Sequence, residues 1–126
     1  MLDCKGTRLL AFEYRYRDGG NFKATGSVLL EGSLSGCERL EIIGRLESSE
    51  LFIAEQVGIP PLYHQLYAIN GGPNADDHCW HEFDAFCAVD KVASASAWGT
   101  AEDLLSAFRK VKDWNEGLSP HYAAVR

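Results

Sequence analysis

The sequence contains no run of about 18 apolar residues, the length needed for a membrane-spanning helix. It also lacks internal repeats and tracts of low complexity. An excess of positive charge is missing too, since 18 acidic residues oppose 12 basic ones and give a formal net charge of −6. These absences argue against membrane-embedded, fibrous and disordered proteins, and against broad electrostatic binding to nucleic acid or anionic lipid.

Cysteine pairs with the spacing of metal knuckles or redox motifs are also lacking. The four cysteines are Cys4, Cys37, Cys79 and Cys87, and none forms a C-x-x-C pair. On one extended strand Cys79 and Cys87 would lie about 26 Å apart, so they could not bridge each other without a chain reversal. We therefore expect free thiols and a reducing cytoplasm. The N-terminus has no long apolar segment and no small-residue cleavage site, so a signal peptide is not expected.

Alternating hydrophobicity near the N-terminus predicts a β-hairpin. In the segment Arg8–Arg17, aromatic and aliphatic residues occupy one face and charged residues the other. The cluster Asp18–Asn21 tolerates the backbone angles of a tight turn, and the segment Phe22–Glu31 then alternates again. Gly26 interrupts the second strand and is expected to mark a bulge.

Capping boxes predict two helices. In this motif the first side chain accepts the N–H of the fourth residue, whose own side chain accepts the N–H of the first. Ser35 with Glu38 begins one helix, and Thr100 with Asp103 begins the last helix of the chain. The predicted stripe of the first helix includes Cys37, Leu40, Ile43 and either Leu46 or Glu47. That of the last helix includes Leu104, Leu105, Phe108, Val111 and either Trp114 or Asn115.

Between these helices the patterns predict two strands and a short helix. The apolar run Leu51–Ala54 predicts a strand, and Pro61 suits the first turn of a helix that follows. The segment His78–Val89 is rich in aromatic residues and predicts another strand. Its alternation slips between Phe83 and Phe86, which indicates a bulge or a strand buried on both faces.

The order β-β-α-β-α-β-α predicts an α+β fold in a single domain spanning residues 1–126. We expect an antiparallel or mixed sheet that begins with the N-terminal hairpin and carries two to three helices on one face. The core is expected within residues 8–91, the C-terminal helix at about residues 100–115, and a tail at residues 116–126.

The densest group of reactive side chains lies at residues 76–84, which hold two histidines, a cysteine and four carboxylates. On a strand, His78 and Glu82 share one face, and Cys79 and His81 share the other, so either pair could begin a metal site. The alternative is that the aromatic residues are core and that a histidine is hydrogen bonded within the strand. No cofactor is expected unless His78, Cys79, His81 and Glu82 bind zinc.

Two further patterns suggest contacts with a ligand. Tyr14 and Tyr16 alternate with two arginines, and because the two kinds of side chain fall on opposite faces, a single-stranded nucleic-acid platform is not favoured. Glu55 interrupts an apolar stretch, either as a carboxylate that lines a pocket or as a hydrogen-bonding partner of the following turn. If a small ligand binds, we expect Tyr14, Tyr16, Glu55 and His81 to contact it.

Three segments carry a resemblance. They are Phe12–Asp18 with Asn21–Lys23, then Leu51–Pro60, then Asp76–Phe83. In this order and spacing they resemble a group of small bacterial proteins carried on mobile elements such as integron cassettes, for which no activity is established. The resemblance covers residues 12–84 and does not extend to Val92–Arg126. It implies a bacterial, cytoplasmic, single-domain protein and brings no catalytic residues.

The aromatic content favours a binding function. A chain of this size holds 6 phenylalanines, 5 tyrosines and 3 tryptophans, so some are expected to line an interface or an apolar pocket. The favoured function is a non-catalytic binding or protein-interaction module that acts as a homodimer, with Phe108 and Trp114 at the interface. The alternatives are a metal-binding protein or small enzyme built on residues 76–84, and an inhibitor or antidote that binds a host protein.

Overall fold

The computed structural model describes residues 9–17, 22–70, 78–89 and 97–116. These residues form β1 (Leu9–Arg17), β2 (Lys23–Glu31), α1 (Gly36–Arg45), β3 (Leu51–Ile53), α2 (Ala54–Val57), α3 (Tyr63–Asn70), β4 (Trp80–Val89), β5 (Gly99–Thr100) and α4 (Ala101–Arg109). The predicted turn at residues 18–21, the acidic pair Asp76 and Asp77, most of the predicted connector at residues 92–99, and the tail beyond Glu116 lie outside the described residues.

The described strands form one mixed sheet with the order β3-β4-β1-β2-β5. β1 is central because it pairs antiparallel with both β2 and β4. β3 pairs antiparallel with β4, whereas the short β5 runs parallel to β2. This topology confirms the predicted α+β fold and the N-terminal hairpin.

The slip in the alternation of β4 is a β-bulge. Phe83 lies opposite Tyr14 and Ala85 lies opposite Glu13, so Asp84 is the additional residue on the bulged strand. The bulge turns the two halves of β4 so that each keeps its apolar side chains toward the core. The alternation of the sequence was therefore sufficient to locate it.

The predicted bulge at Gly26 is wrong, because the register between β1 and β2 continues through this residue without a break. Gly26 instead lies at a close contact. A Cβ atom at this position would lie 2.9 Å from Cδ2 of Leu62, which precedes α3. The missing side chain therefore allows the start of α3 to approach the sheet.

Both capping boxes are present, at Ser35 with Glu38 and at Thr100 with Asp103. However, α4 ends at Arg109 rather than near residue 115. The chain beyond it is held in a non-helical path by side-chain bonds, since Gln56 donates to the carbonyl oxygen of Asp113 at 2.9 Å. The side-chain oxygen of Gln56 accepts the backbone N–H of Asn115, also at 2.9 Å.

The core lies between the sheet and one layer of helices. Phe12 of β1 is its centre and is fully buried. Its ring lies 5.3–6.1 Å from the rings of Tyr14, Phe52, Phe83, Phe86 and Phe108. Because Phe108 belongs to α4 and the other four to β1, β3 and β4, this packing joins the helix layer to three strands.

Three residues that the patterns place on buried faces are exposed. Leu40 of α1 is 68% exposed, Phe22, just before β2, is 56% exposed, and Cys37 of α1 is exposed as well. Periodicity assigned all three to an apolar stripe, but it does not show how much of a stripe another element covers. Among the described residues no helix combines the length and apolar character needed to cross a bilayer.

Candidate functional site

An aromatic cluster of tyrosine and histidine side chains lies on the helix-covered face of the sheet. His81 of β4 is at its centre, with the ring centroids of Tyr14, Tyr16 and Tyr63 at 6.0, 5.2 and 6.1 Å respectively. All four residues are at most 3% exposed. We call these four residues the aromatic cluster. It joins β1, β4 and the start of α3, which are distant in sequence.

His81 is held in one tautomer by backbone groups. The N–H of Leu62 donates to Nε2 at 2.9 Å, so this nitrogen carries no proton. Nδ1 lies 3.3 Å from the carbonyl oxygen of Cys79, which can only accept, so Nδ1 carries the proton. The imidazole is therefore neutral. It provides an acceptor for a backbone N–H that is buried where the chain enters α3.

Two hydroxyl groups of the aromatic cluster bond α2 and the segment that joins α2 to α3. Tyr14 donates to the carbonyl oxygen of Pro60 at 2.5 Å, and burial raises the pKa of Tyr14 to about 12. Tyr63 donates to the carboxylate of Glu55, the acidic residue in the first turn of α2. These bonds hold residues 55–63 against the sheet, where the tight chain path depends on the left-handed Gly58.

The structure brings together the four residues predicted to contact a ligand. Tyr14, Tyr16 and His81 are in ring contact, and Glu55 joins them through Tyr63. No sequence pattern singles out Tyr63, although two consecutive prolines shortly before it limit where α3 can begin. The polar atoms named above bond protein groups, and these bonds attach α2 and α3 to the sheet.

The four predicted metal ligands do not point toward a common centre. His78 accepts the N–H of Trp80 on Nδ1 at 3.0 Å, and its Nε2 bonds the carbonyl oxygen of Arg17 at 2.7 Å. Glu82 lies on the opposite face of the sheet and bonds arginine side chains. Within the described ranges no group of three or more His, Cys, Asp or Glu side chains could hold a metal ion. The predicted ligands are His78, Cys79, His81 and Glu82.

The cysteines within the described residues are free thiols in different environments. Cys37 is exposed on α1, whereas Cys79 is fully buried. Burial, with smaller contributions from the carboxylates of Glu116 and Glu55, raises the pKa of Cys79 to about 12. The thiol of Cys87 donates to Glu13, and this hydrogen bond also raises its pKa. A thiolate nucleophile is therefore disfavoured at Cys79 and Cys87.

The arginines of the hairpin are paired across the sheet. Arg15 and Arg17 lie on the face opposite to the tyrosines, as predicted, and their Nε atoms bond Glu82 at 2.9 and 3.1 Å. Arg15 also reaches the carboxylate of Asp84 at 3.6 Å. Because two carboxylates of β4 compensate these cations, this face is not a basic surface for phosphate groups.

The two residues predicted at a dimer interface lie in or beside the core. Phe108 is fully buried, so it has no surface to offer to a partner. Trp114 is half-buried and contacts Phe108, and its indole N–H donates to the carbonyl oxygen of Arg45 at 3.1 Å. Trp114 lines a surface groove of about 310 Å³ between residues 44–47 and 111–114. The groove carries two cations and two carboxylates, so it favours neither anions nor cations.

One edge of β4 has no strand partner in the part of the chain that the structure describes. β3 covers only Trp80–Glu82, and the next residue, Phe83, donates its N–H to the carbonyl oxygen of Glu50 at 2.8 Å. From Asp84 to Val89 the strand has β1 on one side only. The segment Ala85–Val89 of this edge carries no charge and no proline, the usual devices that keep a strand edge from pairing.

One side chain of α1 contacts the open part of β4. Arg39 of α1 is placed over the ring of Phe86, 5.6 Å from its centroid, so this flank of the helix faces β4. Ile43 is half-buried and follows Arg39 by one helical turn, and it neighbours the exposed Leu40. We call Phe86 and the open edge of Asp84–Val89 the β4 edge surface. Sequence reasoning missed it, since no local pattern shows which part of a strand has a neighbour on one side only.

Comparisons of this chain with protein family models, with curated proteins and with solved structures found no match. Its function is therefore inferred from the geometry described above.

Replacing His81 with leucine should lower the free energy of unfolding by about 1–3 kcal/mol, because the buried N–H of Leu62 loses its acceptor. Leucine is apolar and fits among the surrounding aromatic rings. Urea unfolding followed by circular dichroism would measure the change. His64→Leu is the control, since His64 is exposed and the substitution should have less effect. Equal losses in both variants would contradict the structural role of His81.

Proposed function

We propose that this protein is a non-catalytic protein-interaction module that acts as a homodimer. The observation that carries the proposal is the β4 edge surface, where the segment Ala85–Val89 carries neither charge nor proline and, among the described residues, has a strand partner on one side only. An open strand edge of this kind pairs readily with another chain. Leu40 of α1 is 68% exposed and adds an apolar side chain that a partner would cover.

The environment of the reactive side chains supports binding rather than catalysis. Cys79 is buried and its pKa is raised. His81 of β4 and His78, just before β4, both bond backbone groups. A nucleophile needs an accessible thiolate or an adjacent base that is free to take its proton. In this protein His81 accepts a backbone N–H at the start of α3, and His78 bonds backbone groups of β1 and β4.

Sedimentation velocity of the purified full chain tests the proposal directly. Across the micromolar range we expect a species of twice the 13.9 kDa mass of one chain, in concentration-dependent exchange with the monomer. Leu40→Glu should shift the equilibrium toward monomer, because a charge would have to be desolvated in the interface. Ser106→Glu on the exposed side of α4 is the matched control and should leave it unchanged. A monomer at every concentration would contradict the homodimer.

A further inference from the structure

We propose that proton uptake by His81 releases α3 from the sheet, so that the bond between His81 and Leu62 is an acid-sensitive contact that controls access to the aromatic cluster. This inference concerns the helix-covered face of the sheet and does not depend on the proposed homodimer. Three observations support it: the nitrogen that would receive the proton, the surroundings of the ring, and the bonds that attach α3.

The additional proton can enter His81 only at Nε2. Nδ1 already carries a proton, which is directed at the carbonyl oxygen of Cys79 at 3.3 Å. Nε2 instead accepts the N–H of Leu62 at 2.9 Å. A protonated Nε2 would place two donors against each other at this distance, and neither could accept. Protonation of His81 therefore requires the N–H of Leu62 to move away from the ring.

The segment that leads into α3 has a single backbone donor. Pro60 and Pro61 have no N–H, so Leu62 carries the only backbone N–H between Ile59 and α3. The N–H groups at the start of a helix have no acceptor within the helix, and a buried N–H without a partner is costly. Leu62 is 5% exposed, so water does not replace the imidazole while α3 stays in place. Loss of this acceptor favours a state in which the segment leaves the sheet.

The direct neighbours of His81 favour its neutral form. The ring is fully buried. Titratable residues contact it from β1, from α3 and from the position before β4, and all of these are uncharged near neutral pH: Tyr14, Tyr16, Tyr63 and Cys79. β3 contributes the apolar ring of Phe52, with its centroid at 5.9 Å. A charge on this ring is costly to bury, whereas release of α3 would allow water to solvate it.

Two carboxylates near this region act in the opposite direction. Glu55 of α2 accepts the hydroxyl of Tyr63, and Glu116 accepts the indole N–H of Trp80 at 2.6 Å. Besides burial, both contribute to the raised pKa of Cys79. Their negative charge favours proton uptake in this region, but it provides no acceptor for the N–H of Leu62. The charged ring is therefore compatible with the released segment and not with the closed one.

The other bonds described above for this segment do not respond to mild acid in the same way. Tyr14 donates to the carbonyl oxygen of Pro60 at 2.5 Å, and Tyr63 donates to Glu55. Tyrosine hydroxyls keep their protons throughout the acid range, and histidine is the side chain whose charge ordinarily changes between about pH 5 and 8. The contact between His81 and Leu62 is thus the first of these bonds that falling pH removes. Because Tyr63 belongs to α3, its departure uncovers the other members of the aromatic cluster.

Hydrogen exchange of the full chain tests the release. His81→Gln keeps an amide oxygen as acceptor but does not take up a proton near neutral pH. Exchange of peptides from residues 60–70, corrected for intrinsic rates, would be followed by mass spectrometry. One proton bound only in the released state, at the ordinary histidine pKa of about 6.5, raises the released population about tenfold from roughly pH 7.5 to 5.5. We expect this increase in the unchanged chain and not in His81→Gln; an equal increase in both would overturn the role of His81.

The other histidines of the described residues provide matched controls. His64→Gln changes an exposed residue of α3 itself. His78→Gln changes a residue whose Nδ1 accepts the N–H of Trp80, two positions away, so its protonation does not loosen α3. Both variants should retain the tenfold increase at residues 60–70. Loss of the increase in either control, as in His81→Gln, would overturn the assignment to His81.

The unchanged chain alone keeps the inference testable if His81→Gln fails to fold. α4 packs on the same face of the sheet through Phe108, so its amides are an internal reference. The corrected exchange of residues 60–70 should rise about tenfold over this pH range, while that of α4 stays constant. An equal rise in both helices, or no rise at residues 60–70, would overturn the release of α3.

Discussion

Replacement of Phe12 by alanine should lower the free energy of unfolding by about 3–5 kcal/mol. Phe12 is fully buried and its ring meets five other aromatic rings from β1, β3, β4 and α4. Removing it leaves a cavity that rigid rings cannot fill by a small rotation. Because a small domain has a total stability of about 5–15 kcal/mol, this loss is a large fraction of the whole. Urea denaturation would measure it.

Phe22→Ala is the matched control, since it removes the same atoms from a residue that is 56% exposed. The expected change is within about 0.5 kcal/mol, as for most surface substitutions. Comparable losses in the two variants would contradict the position of Phe12 at the centre of the core.

Alkaline solution should destabilise the protein by several kcal/mol between pH 9 and pH 12. The folded state holds the thiol of Cys79 protonated, since burial raises its pKa from 9.0 to about 12. Burial also raises the pKa of Tyr14 from 10.0 to about 12. In the unfolded chain both groups lose their protons first, so rising pH favours the unfolded state. Each pKa unit corresponds to about 1.4 kcal/mol, and below pH 9 the full contribution of both groups is retained.

The measurement is the urea midpoint at steps across this pH window. Cys79→Ala removes the ionising thiol without adding bulk, so its stability should fall less steeply above pH 9 than that of the unchanged chain. Cys37→Ala is the control, because Cys37 is exposed and its removal should leave the slope unchanged. Parallel slopes in all three proteins would contradict the buried, protonated state of Cys79.

Elements with several repeats of a pattern could be predicted from the sequence. β1 shows its alternation over nine residues, and its pairing with β2 follows from the small number of residues that separate the two strands. Ser35 and Thr100 mark helix starts because a capping side chain acts on the backbone within three residues. In contrast, α2 has four residues and β5 has two, so neither is long enough to show a period.

Contacts between distant segments could be predicted only in part. The joint position of Tyr14, Tyr16 and His81 follows from alternation, which places them on the same face of paired strands. The bond from Tyr63 to Glu55 depends on how α3 returns to the sheet, which no local pattern specifies. Leu40 shows the same limit, because periodicity identifies an apolar stripe but not the element that covers it.

The central position of β1 has a consequence for the order in which the chain folds. Its partner β2 follows closely in sequence, but its partner β4 is synthesised much later. Glu13 and Cys87, which are in contact across the β1–β4 pairing, are 74 residues apart. Closing such a long loop is slow compared with forming a hairpin. During synthesis one edge of β1 in the β1–β2 hairpin therefore has no strand partner until β4 leaves the ribosome. In that interval β1 is the strand most exposed to pairing with a wrong partner, although in the folded protein it has a strand on both sides.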